Sequence, residues 1–169
     1  STIGQHKTAI MKQRILDINP QCRVITRENF MGVNEMASVL EGHYDAVVDA
    51  IDIKNCKLAF LTHAHRKGYN LYSSLGAGNR LDPTKVRSGD FFDSRHCRLA
   101  KALRKRLRHA GIHQGIKAVW SDELGRPPLL PLEEQAYERL PQGTISTIPA
   151  LFGIMLAGLV IKDMIDDSK

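Results

Sequence analysis

The stretch "AVVDAIDIKNCK", residues 46 to 57, places two acids, Asp49 and Asp52, at the end of an apolar run. The small and β-branched residues Ala46, Val47 and Val48 follow a Gly42-His43-Tyr44 turn, which predicts a short buried strand. From Lys54 onward the pattern becomes helical. A carboxylate at the carboxyl end of a buried strand in an alternating α/β chain sits where such folds bind ligands. From spacing alone the favoured reading is that Asp52 caps the helix that follows, a role compatible with ligand binding.

A second chemical signal is positive charge. The net charge is +6, from 24 Lys and Arg against 18 Asp and Glu. The segment "SRHCRLAKALRKRLRHAG" holds Arg95, Arg98, Lys101, Arg104, Lys105, Arg106 and Arg108 without one acid. Leu99, Leu103 and Leu107 recur every four residues there, an apolar stripe that can dock on a domain. Lys101, Arg104, Lys105 and Arg108 then project outward, a face suited to phosphates and to salt-dependent binding of a polyanion, nucleic acid above all. A merely solvated face is the bland alternative.

Other candidates are weaker. His63 and His65 are two apart on a predicted helix and point in different directions. His96 and Cys97 are adjacent, so no zinc-like spacing emerges. Cys97 at a helix start could have a lowered pKa, yet reads more simply as a helix-terminal cysteine. The glycine-rich piece "GAGN", residues 76 to 79, fits neither the dinucleotide fingerprint nor the P-loop. Cys22, Cys56 and Cys97 are too few and scattered for a disulfide framework, so a reducing, cytoplasmic setting is the default.

The elements that must position these residues alternate. "IGQHKTAIMKQRILDIN" predicts a helix stopped at Asn19-Pro20. "CRVITRENF" predicts a strand, and "VNEMASVLEG" a short helix. After the strand ending in Asp49, "NCKLAFLTHAHRKG" predicts a helix closed by Gly68, and "NLYSSL" a strand. Further on come an extended "KVRSGDFF", the basic helix from Cys97 to Gly111, a strand in "IKAVWS", a proline-rich loop over 122 to 143, and a final helix from about Ala150 to Met164. Strands alternating with helices predict an α/β, Rossmann-like fold: a mostly parallel sheet with helices on both faces, here lacking the opening nucleotide-binding βαβ portion. Residues 1–169 read as part of one domain, a Rossmann-like half over 1–80 and a second half over 81–169. Residues 140 to 161 carry no charge, but the strongly apolar part suits a core helix better than a membrane span, so no membrane is expected.

Five stretches, "IGQHKTAIMKQRILDINPQC", "VVDAIDIKNCKLAF", "SSLGAGNRLDPTKV", "CRLAKALRKRLRHAGI" and "GTISTIPALFGIMLAGLVIKDMI", together resemble the ThiF/MoeB/HesA family of adenylating enzymes. Within it they look most like the tRNA threonylcarbamoyladenosine dehydratase branch. The resemblance implies ATP and magnesium, and adenylation of the carboxylate on the threonyl arm of a modified adenosine in tRNA. The acyl-adenylate supplies AMP as the leaving group that a bare carboxylate lacks, and a tethered nucleophile then closes a ring. Lys7 falls on the family lysine that contacts ATP phosphates, and Asp52 on the acid beside metal and nucleotide, where a hard oxygen suits magnesium. Lys57 falls where relatives often carry a basic residue at the nucleotide. Ser74, Gly76, Gly78 and Asn79 fall on the substrate side of the cleft, where small residues allow close approach. Arg98, Lys101, Arg104, Lys105 and Arg108 then become tRNA contacts.

The resemblance further implies a homodimer and, in some settings, sulfur-transfer proteins as partners. The family's Gly-rich loop, ribose-binding acid and catalytic arginine have no counterpart here, so this chain alone is expected not to bind ATP productively. The CxxC pairs of many zinc-holding relatives are absent too, which argues against the rival activity, adenylation of a ubiquitin-like sulfur carrier. A non-catalytic RNA-binding remnant is the third reading.

Overall fold

In the computed structural model, residues 2–127 and 143–166 are described. The chain forms two compact units, residues 1–32 and 33–169.

The first unit holds helix α1 (Lys7–Ile18), no residue of which is buried. Asn19 ends it: its backbone N–H donates to the Ile15 carbonyl, and its side chain accepts from Gln21 N. Residues 22–28 form neither helix nor strand. The strand expected over "CRVITRENF" is therefore not formed. A strand needs a neighbour for its N–H and C=O groups, and β-propensity alone supplies none.

The second unit is built on four strands, β1 (Val47–Asp49), β2 (Leu71–Ser74), β3 (Val86–Asp90) and β4 (Lys117–Ser121). Their order is β1-β2-β4-β3, with β1, β2 and β4 parallel and β3 antiparallel to β4.

Helices α2 (Met36–Val39), α3 (Lys54–Arg66), α4 (Arg98–His109) and α5 (Thr147–Asp166) complete the unit. Helix α3 packs on β1 and β2 and against α4, while α5 packs on β2, β3 and β4. The core under α5 joins Tyr72, Val86 and Val119 to Ile148, Phe152 and Leu156. Val48, between the buried Val47 and Asp49 of the edge strand β1, is 51% exposed.

Helix α5 starts earlier than its composition suggests, with Pro149 in the first turn, where its missing N–H costs nothing. It buries only Ile148, Phe152 and Leu156, so it is a one-faced docking helix rather than a fully enclosed one. By length and composition it could also cross a membrane.

Candidate active site

The carboxyl ends of β1 and β2 lie side by side, with Asp49 in register with Ser73. Strand β1 buries Val47 and Asp49 on its α3 side and turns Val48 away. At its end, the Asp49 Oδ1 accepts from Ile51 N at 3.0 Å, which bends the chain out of the strand. The next residue, Asp52, is exposed. It does not cap α3: Ile53 occupies the cap position, and no side-chain cap bond is made. Its carboxylate faces solvent at the ligand-binding end of a parallel sheet.

Beneath this bend lies a charged contact that the sequence reading placed differently. Lys57, expected at the nucleotide, has no exposed side-chain surface. Its Nζ lies 2.5 Å from Asp49 Oδ2 and donates to the Ser74 carbonyl at 2.8 Å. The reason is position: Lys57 heads the buried stripe of α3 that continues through Phe60, Leu61 and Ala64. Ser73, which the motif reading passed over, donates its hydroxyl to the same Asp49 Oδ2 at 2.7 Å.

The turn after β2 is held on several sides. Ser74, Gly76, Gly78 and Asn79 are half-buried. Asn79 adopts a positive φ of 60°, and its N–H donates to the Gly143 carbonyl at 2.7 Å. Arg80, another residue that motif reading missed, is 6% exposed. One guanidinium nitrogen donates to the Gly76 and Gly78 carbonyls, the other to the His96 carbonyl at 2.7 Å. From the far side, Glu123 accepts from Leu81 N and Asp82 N, both at 2.8 Å. The Asp82 and Leu81 amides, with Arg126 nearby, hold its carboxyl below the usual carboxylate range.

The basic helix begins against this turn. Cys97 is its N-cap, and its Sγ accepts from Ala100 N at 3.5 Å. A Cβ added at Gly76 would sit 3.6 Å from that sulfur. Arg98, Lys101, Lys105 and Arg108 are exposed along α4. Arg108 also lies over the Phe92 ring, 5.3 Å from its centroid.

Arg104 departs from the expected outward face. It turns back to donate to the Ser94 carbonyl and hydroxyl, both at 2.6 Å. Ser94 is buried, and a buried carbonyl and hydroxyl require partners. The docked stripe is Ala100, Leu103 and Leu107, with Leu99 only half-buried.

Lys7 is exposed at the start of α1, in the first unit. No cluster of three or more His, Cys, Asp or Glu able to hold a metal exists among the described residues. A cavity of about 490 Å³ lies at the opposite end of the sheet, lined by Tyr72, Asp90, Lys117, Leu159, Lys162 and Asp163. It is remote from the loops that carry Asp52 and the glycine turn, so it is not the candidate site.

The family model described as the ThiF family matches residues 1–168. The chain belongs to the ThiF family. Among curated proteins, this ThiF chain is 30% identical over 178 residues to the tRNA threonylcarbamoyladenosine dehydratase of Bacillus subtilis, covering 99% of the chain and 69% of that relative. It is 29% identical to tRNA threonylcarbamoyladenosine dehydratase 2 of Saccharomyces cerevisiae, covering 97% of the chain and 41% of that protein. Among solved structures, the Escherichia coli tRNA N6-threonylcarbamoyladenosine dehydratase TcdA in complex with ATP superposes with a TM-score of 0.84 at 27% identity, over 98% of this chain and 66% of that one. The same enzyme in complex with AMP gives a TM-score of 0.81 at 27% identity, over 96% and 65%. The ThiF chain thus spans about two thirds of the solved relative's length and less than half of the yeast protein's. Its mostly parallel sheet with helices on both faces is the Rossmann-like fold of these enzymes.

Proposed function

We propose that this ThiF chain is part of an ATP-dependent dehydratase that cyclises threonylcarbamoyladenosine in tRNA by way of an acyl-adenylate. One observation carries the reading. Exposed Asp52 and the pinned 74–79 turn leave neighbouring parallel strands on one edge, and the basic helix begins against that same turn. RNA lying along α4 would thereby be led to the strand ends where the nucleotide is proposed to bind.

Asp52 is the group proposed to face magnesium and the ATP phosphates. Its solvent-facing hard oxygen fits that ion, which is commonly held by one or two carboxylates plus phosphate oxygens rather than by a protein cage. Magnesium, when bound, would offset the negative charge of the ATP phosphates as the adenylyl group passes to the carboxylate and pyrophosphate leaves. Lys7, exposed at the head of α1, is proposed to meet ATP phosphates, and Ser74, Gly76, Gly78 and Asn79 to meet the modified adenosine. Arg98, Lys101, Lys105 and Arg108 are proposed to contact tRNA phosphates, positioning the substrate without reading its sequence. The outer face of α5, with exposed Gly153, Ile154, Ala157, Gly158 and Ile161, is proposed to receive a second copy of the chain.

The test is nucleoside mass spectrometry after incubating the full-length protein with ATP, magnesium and tRNA bearing threonylcarbamoyladenosine. A product lighter by one water, formed only with ATP, supports the reading. Unchanged nucleoside, with adenylation of a carrier protein's C-terminus instead, contradicts it.

A further inference from the structure

The geometry points to Asp49 and Lys57 as a positioning couple that sets both loops of the site, a role that rests on reading this end of the sheet as the ATP-using one. Neither side chain has any exposed surface, so neither touches a ligand directly. What they touch is the frame of the groups that would. Asp49 Oδ1 holds the Ile51 amide, one residue before Asp52. Asp49 Oδ2 receives Ser73 from β2 and Lys57 from α3. Lys57 in turn holds the Ser74 carbonyl, where the 74–79 turn leaves the sheet. The adjoining Leu75 amide donates to the Val119 carbonyl at 3.0 Å, which carries the restraint into β4. Three elements (the end of β1, the first turns of α3 and the end of β2) are fastened at one point beneath the loops that carry Asp52 and Ser74.

A stability role alone is a poor account of this pair. An apolar pair of similar volume usually serves a core as well or better, because two charges must first be stripped of water. What an apolar pair cannot supply is direction. The ion pair gives Asp49 and Lys57 fixed hydrogen-bond vectors toward a specific amide and a specific carbonyl. Those vectors decide where Asp52 and Ser74 stand, within the tolerance that positioned chemistry demands.

The experiment compares the full-length protein with K57M, K57R and the charge-neutral double variant D49N/K57M. Three quantities are read: thermal midpoint, amide hydrogen exchange at Ile51 and Leu75, and kcat and KM for tRNA in the ATP-dependent reaction. The positioning role predicts that D49N/K57M melts within a few degrees of the parent, yet exchanges at Leu75 at least tenfold faster. Its kcat falls at least tenfold with KM for tRNA changed less than threefold, and K57R recovers part of that kcat. Exchange and kcat in D49N/K57M both within twofold of the parent would overturn it. If the parent itself shows no ATP-dependent loss of water, the functional reading fails by itself, and the exchange comparison still decides the positioning claim.

Discussion

Asp49 and Lys57 approach to 2.5 Å with neither side chain exposed to solvent. Removing one partner strands the other in the core, so K57M should lower unfolding stability by about 3–5 kcal/mol. Neutralising both, as in D49N/K57M, should cost less than half of that. Chemical denaturation of the two variants checks the asymmetry, and equal losses would show that the pair is not electrostatically coupled.

Asp52 has the opposite character. It is exposed and makes no cap bond to α3, so D52N should leave the thermal midpoint within about 1–2 °C of the parent, as surface substitutions generally do. ATP-dependent activity should nevertheless fall by about 100-fold or more, the scale on which loss of a charge-stabilising group acts. A D52N variant that retains full activity removes Asp52 from the proposed chemistry.

The basic helix separates into two kinds of residue. K101E/K105E should weaken tRNA binding and flatten its salt dependence by roughly one unit of log–log slope per lost phosphate contact, with little change in folding. R104A should instead destabilise the fold by about 2–3 kcal/mol, because the buried Ser94 carbonyl and hydroxyl lose a charged donor. Fluorescence anisotropy across a salt series, alongside thermal melts, distinguishes the two. If R104A binds tRNA worse while melting normally, Arg104 is an RNA contact after all.

Acid should reach the fold through Asp163. The ammonium of Lys117 and then the hydroxyl of Tyr72, which donates at 2.5 Å, hold its carboxyl below the ordinary aspartate value. The folded pKa is therefore lower than the unfolded one, near 3.9, and between the two the unfolded chain binds more protons. Stability from this contact is complete above about pH 5 and drains as pH falls through the folded value. D163N should be less stable than the parent at pH 7, with the difference shrinking toward pH 3. A constant difference across that range contradicts the assignment.

Much of the second unit was legible because its signals are local. Short runs between turn residues marked β1, β2 and β4, as expected for strands buried on both faces like β2 and β4, and the four-residue leucine spacing marked α4. The buried pair was legible too, had periodicity been put before motif: Asp49 shares its face with Val47, and Lys57 heads the stripe of Phe60, Leu61 and Ala64. A charged residue in an apolar register announces burial with a partner. Arg80 and Arg104 left no such trace. Their partners are backbone carbonyls and a serine, which any sequence supplies, so only the folded turn shows why those arginines point inward. The failed strand over residues 22–30 has the same logic, because pairing belongs to the neighbour and not to the segment. The loop expected over 122–143 lies largely outside the described residues.

The central claim is that the loop carrying Asp52 serves ATP-dependent dehydration of a tRNA nucleoside. It is tested most directly by liquid chromatography–mass spectrometry of tRNA nucleosides after reaction with full-length parent and D52N protein, with and without ATP. The account predicts loss of one water from threonylcarbamoyladenosine only in the parent reaction containing ATP. Dehydration by D52N at the parent rate, or by the parent without ATP, would contradict it.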